Sequence, residues 1–236
     1  MFKVSNENEF NALEPTVPLG VAILILFAVA VTTLVMLLAL QAWAPALYQS
    51  LFGPQREAYW DLARTSGIVA YLLIWLSVAF GLMITDRIAR VWPGGPVAFD
   101  LHQFTSLLGL GFSLFHAVIL LGVQYIQYTP LQILVPFTTG YQPLWVGLGQ
   151  VAFYALIPIT FTFYFRRQIG AGMWRAIHYG SFIAFAFITL HGLLSGSDTG
   201  NWGVLGMYML TGASFLYLTL YRIFSMEKEL AKEKVL

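Results

Sequence analysis

The chain has 236 residues, of which 58% are hydrophobic, 16% aromatic and only 10% charged, with a mean hydropathy of +0.74. A soluble domain carries about 25% charged residues, so the composition excludes a water-soluble globular fold and leaves an integral membrane domain. The absence of cysteine excludes disulfides, thiolate-ligated haem, iron–sulfur clusters and covalently attached c-type haem.

Six stretches are long and apolar enough to cross a bilayer, roughly 19–40, 66–84, 101–123, 144–165, 176–194 and 203–221. Each is near the ~20 residues a helix needs to traverse ~30 Å of hydrocarbon. The expected fold is therefore all-α, a six-transmembrane-helix bundle over 19–224, flanked by a segment 1–18 and a charged tail 225–236. Residues 1–18 contain Glu7, Glu9 and Glu14 without an apolar core. They read as a cytoplasmic segment rather than a removed signal peptide, with the first span as an uncleaved anchor.

Between spans the punctuation is ordinary, with Pro45 and Pro54 in the first loop and Pro93-Gly94-Gly95-Pro96 in the second. The third loop, 124–143, is uncharged and rich in Gln124, Tyr125, Gln127, Tyr128, Thr138, Thr139, Tyr141 and Gln142, with Pro130, Pro136 and Pro143. It suits a re-entrant or interfacial cap, although a plain polar connector is the simpler account. The tail alternates Glu and Lys and reads as a short charged helix supported by i,i+4 pairs.

Charge placement sets the orientation. Of the twelve Lys and Arg residues, only Arg56 and Arg64 lie in odd-numbered loops; Lys3, Arg87, Arg90, Arg166, Arg167, Arg175, Arg222, Lys228, Lys232 and Lys234 lie on the other side. Positive-inside bias places both termini in the cytoplasm, and a bacterial inner membrane is the expected location. That topology accounts for the inward arginines, which receive no individual role.

No Asp, Glu, Lys or Arg lies within the six stretches, so the ionisable groups placed in lipid are histidines. Such groups are costly at membrane depth and mark a functional site by default. The four are His102 and His116 in the third span and His178 and His191 in the fifth. Both spans run inside to outside, so His102 and His178 share the inner depth and His116 and His191 the outer. The 14-residue spacing in span three is ~21 Å of rise and leaves the two rings within ~40° of one face. The 13-residue spacing in span five leaves them ~140° out of phase, so a bend or a π-type turn, near Gly180 or Gly192, is expected there. A lone intramembrane histidine is more often an interhelical hydrogen-bonding group than a ligand. Four in two matched-depth pairs, with no Asp or Glu to complete a proton relay, point instead to axial ligands of two non-covalent b-type haems between helices three and five.

At these residues the chain resembles a known family. The segments Asp100-Leu101-His102-Gln103-Phe104 through Leu114-Phe115-His116, and Trp174-Arg175-Ala176-Ile177-His178 through Thr189-Leu190-His191-Gly192, are similar to the ferric-reductase-like transmembrane domain shared by NADPH oxidases, ferric reductases and the bacterial haem subunit of the periplasmic methionine sulfoxide reductase system. The likeness covers about residues 60–222. It implies that His102 and His178 hold an inner haem and His116 and His191 an outer one. Leu62-Ala63-Arg64 is similar to the family's Leu-Ala-Arg, which implies that Arg64 lies against the outer haem's propionates; its alternative is an interfacial anchor that snorkels to headgroups. Unlike the oxidases, the sequence carries no flavin or nicotinamide segment and no G-x-G-x-x-G turn between a strand and a helix, so a soluble catalytic module is expected to be another chain.

Six phenylalanines flank the expected seam, Phe104, Phe112 and Phe115 on span three and Phe182, Phe185 and Phe187 on span five. Packing explains most of them, with one expected between the haems. Trp174 and Tyr179 beside the inner ligand belong either to the site or to the interfacial aromatic belt. The expected function is a membrane b-type cytochrome passing electrons from a cytoplasmic flavoprotein or quinol donor to an outer-face acceptor, a protein or a small molecule. Lipid is the other partner, and no nucleic acid is expected. The alternatives are a quinol-linked cytochrome b subunit and a non-redox structural subunit of a membrane complex.

Overall fold

The computed structural model describes residues 14–45, 58–85, 88–123 and 125–233. Expectations placed on Lys3, Glu7, Glu9, Pro54, Arg56, Arg87, Gln124 and Lys234 fall outside these residues, as do those on the side chains of Arg90, Lys228 and Lys232. Among the described residues there is no strand; the chain forms α1 (Leu19–Trp43), α2 (Ala58–Thr85), α3 (Gly95–Ile119), α4 (Pro130–Leu134), α5 (Pro143–Phe161), α6 (Arg166–Ser195) and α7 (Trp202–Glu233). All but α4 are long and apolar enough to cross a membrane, and each corresponds to one of the six expected spans.

Local chemistry sets the helix ends. Gly94, at φ 104°, turns the chain into α3, and Pro96 supplies a first-turn position where a missing N–H costs nothing. Pro143 does the same for α5, while Pro158 removes a hydrogen bond near that helix's end, and α5 stops at Phe161. The tail is no separate helix, because α7 continues unbroken to Glu233.

Packing divides the bundle. The closest pairs are α2 with α3 and α5 with α6, with α1 laid on α3 and α7 on α2. Association in lipid relies on close approach of small residues and on interhelical hydrogen bonds, and both are present. A Cβ on Gly109 would stand 2.8 Å from Ile74 Cγ1, so α2 and α3 meet through that glycine. Trp75 Nε1 donates to Ser214 Oγ at 2.9 Å, and the Tyr71 and Thr211 hydroxyls bond at 2.6 Å, tying α2 to α7. By contrast α3 and α6, the two histidine-bearing helices, are not in close contact with each other.

The 124–143 loop is more than a connector. α4 opens with a reciprocal cap between Thr129 and Gln132. Gln150 Nε2, on α5, donates to the Gln132 and Ile133 carbonyls at 2.8 and 2.7 Å, and the Tyr154 hydroxyl donates to the Leu134 carbonyl. Edge contacts of Trp60 with Tyr125 and Tyr141 fasten the loop to α2. These bonds hold α4's last carbonyls, which lack helical partners, and fold the loop back onto the bundle.

Candidate functional site

Helices α3 and α6 bring the four histidines together as two cross-helix pairs. The rings of His102 and His178 have centroids 5.9 Å apart and planes 71° apart; those of His116 and His191 are 6.2 Å apart at 76°. These are the pairs that equal depth predicts. The expected π-type turn is not found: from Ala171 to Ser195 the backbone of α6 is helical, and its one non-helical residue, Gly170 (φ 78°, ψ 155°), precedes both histidines. The phase difference is therefore taken up by the side chains, whose rings reach the seam from different flanks of one continuous helix.

Three of the rings rest in the same kind of seat. His116 Nδ1 lies 2.7 Å from the Ala63 carbonyl oxygen, His102 Nδ1 2.7 Å from that of Ser77, and His191 Nδ1 3.0 Å from that of Trp145. A carbonyl only accepts, so the proton sits on Nδ1 and Nε2 keeps its lone pair, the form that binds a metal. Four residues after each acceptor stands a glycine: Gly67, Gly81 and Gly149. A Cβ would meet His116 Nδ1 at 3.1 Å from Gly67, the His102 ring at 3.3 Å from Gly81, and His191 Cγ at 2.7 Å from Gly149. Residues i and i+4 stack on one helix face, so the bare Cα lets the ring lie close while its N–H meets the carbonyl one turn away. His178 differs. Its Nδ1 faces the Ile159 carbonyl without reaching hydrogen-bond geometry, and Trp174 stacks on the ring, with centroids 4.9 Å and planes 19° apart.

Each pair borders its own cavity. One, of about 250 Å³, is lined by His102, His178, Trp174, Phe182, Arg175 and Arg222; the other, of about 270 Å³, by His116, His191, Arg64, Asp198, Tyr128 and Gln132. The folded-back loop thus covers part of the second cavity, and burial pushes the Tyr128 hydroxyl there up to about 12. Ile74 and Leu156 line both cavities and form the partition. The expected phenylalanine is not there. Phe104 and Phe112 face outward, Phe115 packs beside the Tyr59 cluster, and Phe185 is buried against Tyr71 and Phe215. Phe187 lines neither cavity, whereas Phe182 lines the first. The partition is aliphatic because the mid-depth turns of α2 and α5 present Ile74 and Leu156.

Arg64 lies at the rim of the second cavity, where its Nε donates to Asp198 Oδ2 at 2.7 Å and a second guanidinium N–H bonds Asp198 Oδ1; Asp61 Oδ1 lies 3.2 Å from the Arg64 guanidinium. This forked contact is directional. Asp198 was invisible to sequence reasoning, since it lies in a short loop with no motif and 134 residues from its partner. The glycine seats left a trace that could have been read: Gly67 and Gly81 are 14 residues apart, the spacing of His102 and His116, as expected of two helices running antiparallel at equal rise. Among the described residues no three His, Cys, Asp or Glu side chains converge on one point.

The class defined by these features is an all-helical integral membrane protein with two stacked imidazole-pair cavities. The chain matches no protein-family model, no curated protein and no solved structure.

Proposed function

We propose that the chain is a membrane b-type cytochrome that carries electrons across the bilayer through two bis-histidine haems, taking them from a cytoplasmic flavoprotein or quinol donor and delivering them to an acceptor at the outer face. The observation that carries this reading is the separation within each pair. Two imidazoles bound trans through Nε2 to one metal at about 2.0 Å per bond would place their ring centroids about 6.3 Å apart, against 5.9 and 6.2 Å here. Among the described residues no third His, Cys, Asp or Glu side chain converges with either imidazole pair, which suits an ion whose other positions are filled by a macrocycle. α3 and α6 make little direct contact, and the space bordered by each pair is a cavity of about 250 or 270 Å³.

When bound, the haem iron supplies one-electron chemistry; the protein supplies orientation and a dry path. Carbonyls of Ala63, Ser77 and Trp145 fix the tautomer of three ligands. Apolar walls exclude water, and Arg64, whose Nε-side fork holds Asp198, keeps further guanidinium N–H groups at the cavity rim for an outer propionate. Arg175 and Arg222 stand at the inner cavity, on the side that positive-inside bias makes cytoplasmic; a bacterial inner membrane with both termini inside fits this orientation.

The direct test is stoichiometry: the purified chain should yield two acid-acetone-extractable b haems per polypeptide, low-spin in both oxidation states. A protein that binds none refutes the reading. NADH and NADPH alone should not reduce the loaded chain, because its sequence holds no segment for a nicotinamide or a flavin, whereas dithionite, or a reduced flavoprotein at the arginine-rich face, should. With the flavoprotein, the rate should fall as salt is added, since docking onto a cationic face is screened.

A further inference from the structure

We propose that Trp174 is the positioning residue for His178, replacing the carbonyl-and-glycine seat that the other three histidines possess, and that it holds the inner pair of imidazole planes near perpendicular. This rests on the haem reading above.

A ligating imidazole can turn about its metal–nitrogen axis unless something fixes its plane. For His102, His116 and His191 the fixing group is a carbonyl 2.7 to 3.0 Å from Nδ1, since turning the ring would carry the N–H off its acceptor. The Ile159 carbonyl near His178 belongs to the last turn of α5 and stands outside the close hydrogen-bond geometry of the other three seats. No glycine seat exists there, because the residue four beyond Ile159 is Phe163, past the helix end. Instead the indole lies flat on the imidazole face, at 4.9 Å and 19°. Turning the ring would drive its edge into the indole.

The stack follows from sequence position. Trp174 and His178 are i and i+4 on one continuous helix, so their side chains share a face. Trp174 is also in an edge contact with Phe163, at 6.2 Å and 62°. Phe163 in turn is held by Phe99 at 5.8 Å and by the Arg166 guanidinium 4.1 Å over its ring. The brace is a chain of packed rings rather than a single contact. It ends at Arg166, the first residue of α6.

Electron paramagnetic resonance reads the angle between axial imidazole planes. Near-perpendicular planes give a strongly anisotropic low-spin signal with a single prominent low-field feature, and parallel planes give an ordinary rhombic one. The test uses the full-length chain loaded with haem, as wild type, Trp174→Phe and Trp174→Leu. The inner component is identified by its loss in His102→Ala. The wild type should show the low-field signal for the inner haem, Trp174→Phe should keep it, and Trp174→Leu should move it to the rhombic position while haem content stays at two. Loss of the inner haem in Trp174→Leu with retention in Trp174→Phe also supports the role, since it shows that the stacked ring holds the ligand. An unchanged inner signal in Trp174→Leu, or identical behaviour of the two variants, overturns it. A wild-type chain that binds no haem overturns the functional reading and this inference with it, whereas two haems with an unmoved Trp174→Leu signal overturn only this one.

Discussion

Replacing His116 or His191 with alanine is expected to abolish one of two spectral components and leave the other at full intensity, while replacing His102 or His178 abolishes the complementary one. The partners in each cavity come from different helices, with ring centroids 5.9 and 6.2 Å apart, so on the proposed reading either member alone would leave an iron there without its second imidazole. The two cavities are separate sites divided by Ile74 and Leu156, which is why loss at one should not empty the other. Absorbance spectra of oxidised and dithionite-reduced variants, with haem extracted and counted, check this directly. Loss of the same component in His102→Ala and His116→Ala would mean that the ligands pair along a helix rather than across the gap.

A second large effect is expected from a residue that carries no functional group. Alanine at Gly149 would put a Cβ 2.7 Å from Cγ of His191, at the root of the side chain, where the ring has no slack. Overpacking of this kind costs about 1–3 kcal/mol, and the imidazole can escape only by giving up its bond to the Trp145 carbonyl. Gly149→Ala should therefore lose the outer component nearly as completely as His191→Ala does. The effect should be graded. Gly67→Ala, with its nearest contact at 3.1 Å, should weaken the same component partially, and Gly81→Ala, at 3.3 Å, should shift the inner one with little loss. Gly206 has open space where a Cβ would go, so Gly206→Ala serves as the control and should leave both components intact. Equal haem retention across all four variants would show that the glycines are incidental to the seats.

Much of this arrangement was legible before any coordinates. Spans are readable because lipid tolerates few charges and dictates length, and the histidine pairs are readable because depth follows from counting residues along a helix. What could not be read depends on which faces meet. Nothing in the order of residues says that Asp198 turns toward Arg64, since the two meet only after α6 and α2 have packed. Ile74 and Leu156 are two apolar residues among many until the cavities define a partition. The 13-residue spacing on α6 misled for a related reason: phase on an ideal helix describes Cβ positions, whereas the ring of a histidine is attached one bond beyond Cβ and can swing, by rotation about Cα–Cβ, to a seam its Cβ does not face. The loop over 124–143 folds back because Gln150 and Tyr154 reach its carbonyls, a contact with no local signature.

The open seam between α3 and α6 bears on how such a chain comes to be assembled. Lipid gives two helices little reason to prefer each other over its own tails, and these two meet mainly through facing imidazoles. One packed group, α1 to α3, and another, α5 with α6, can each enter the bilayer as translation proceeds and be complete within itself. Tyr71 on α2, Phe185 on α6 and Tyr208 on α7 already join the two groups in one buried cluster, and a prosthetic group gripped from both sides would close the remaining seam as a rivet. That seam would then be the last part of the bundle to close, and supply of the cofactor to the membrane would decide when it does.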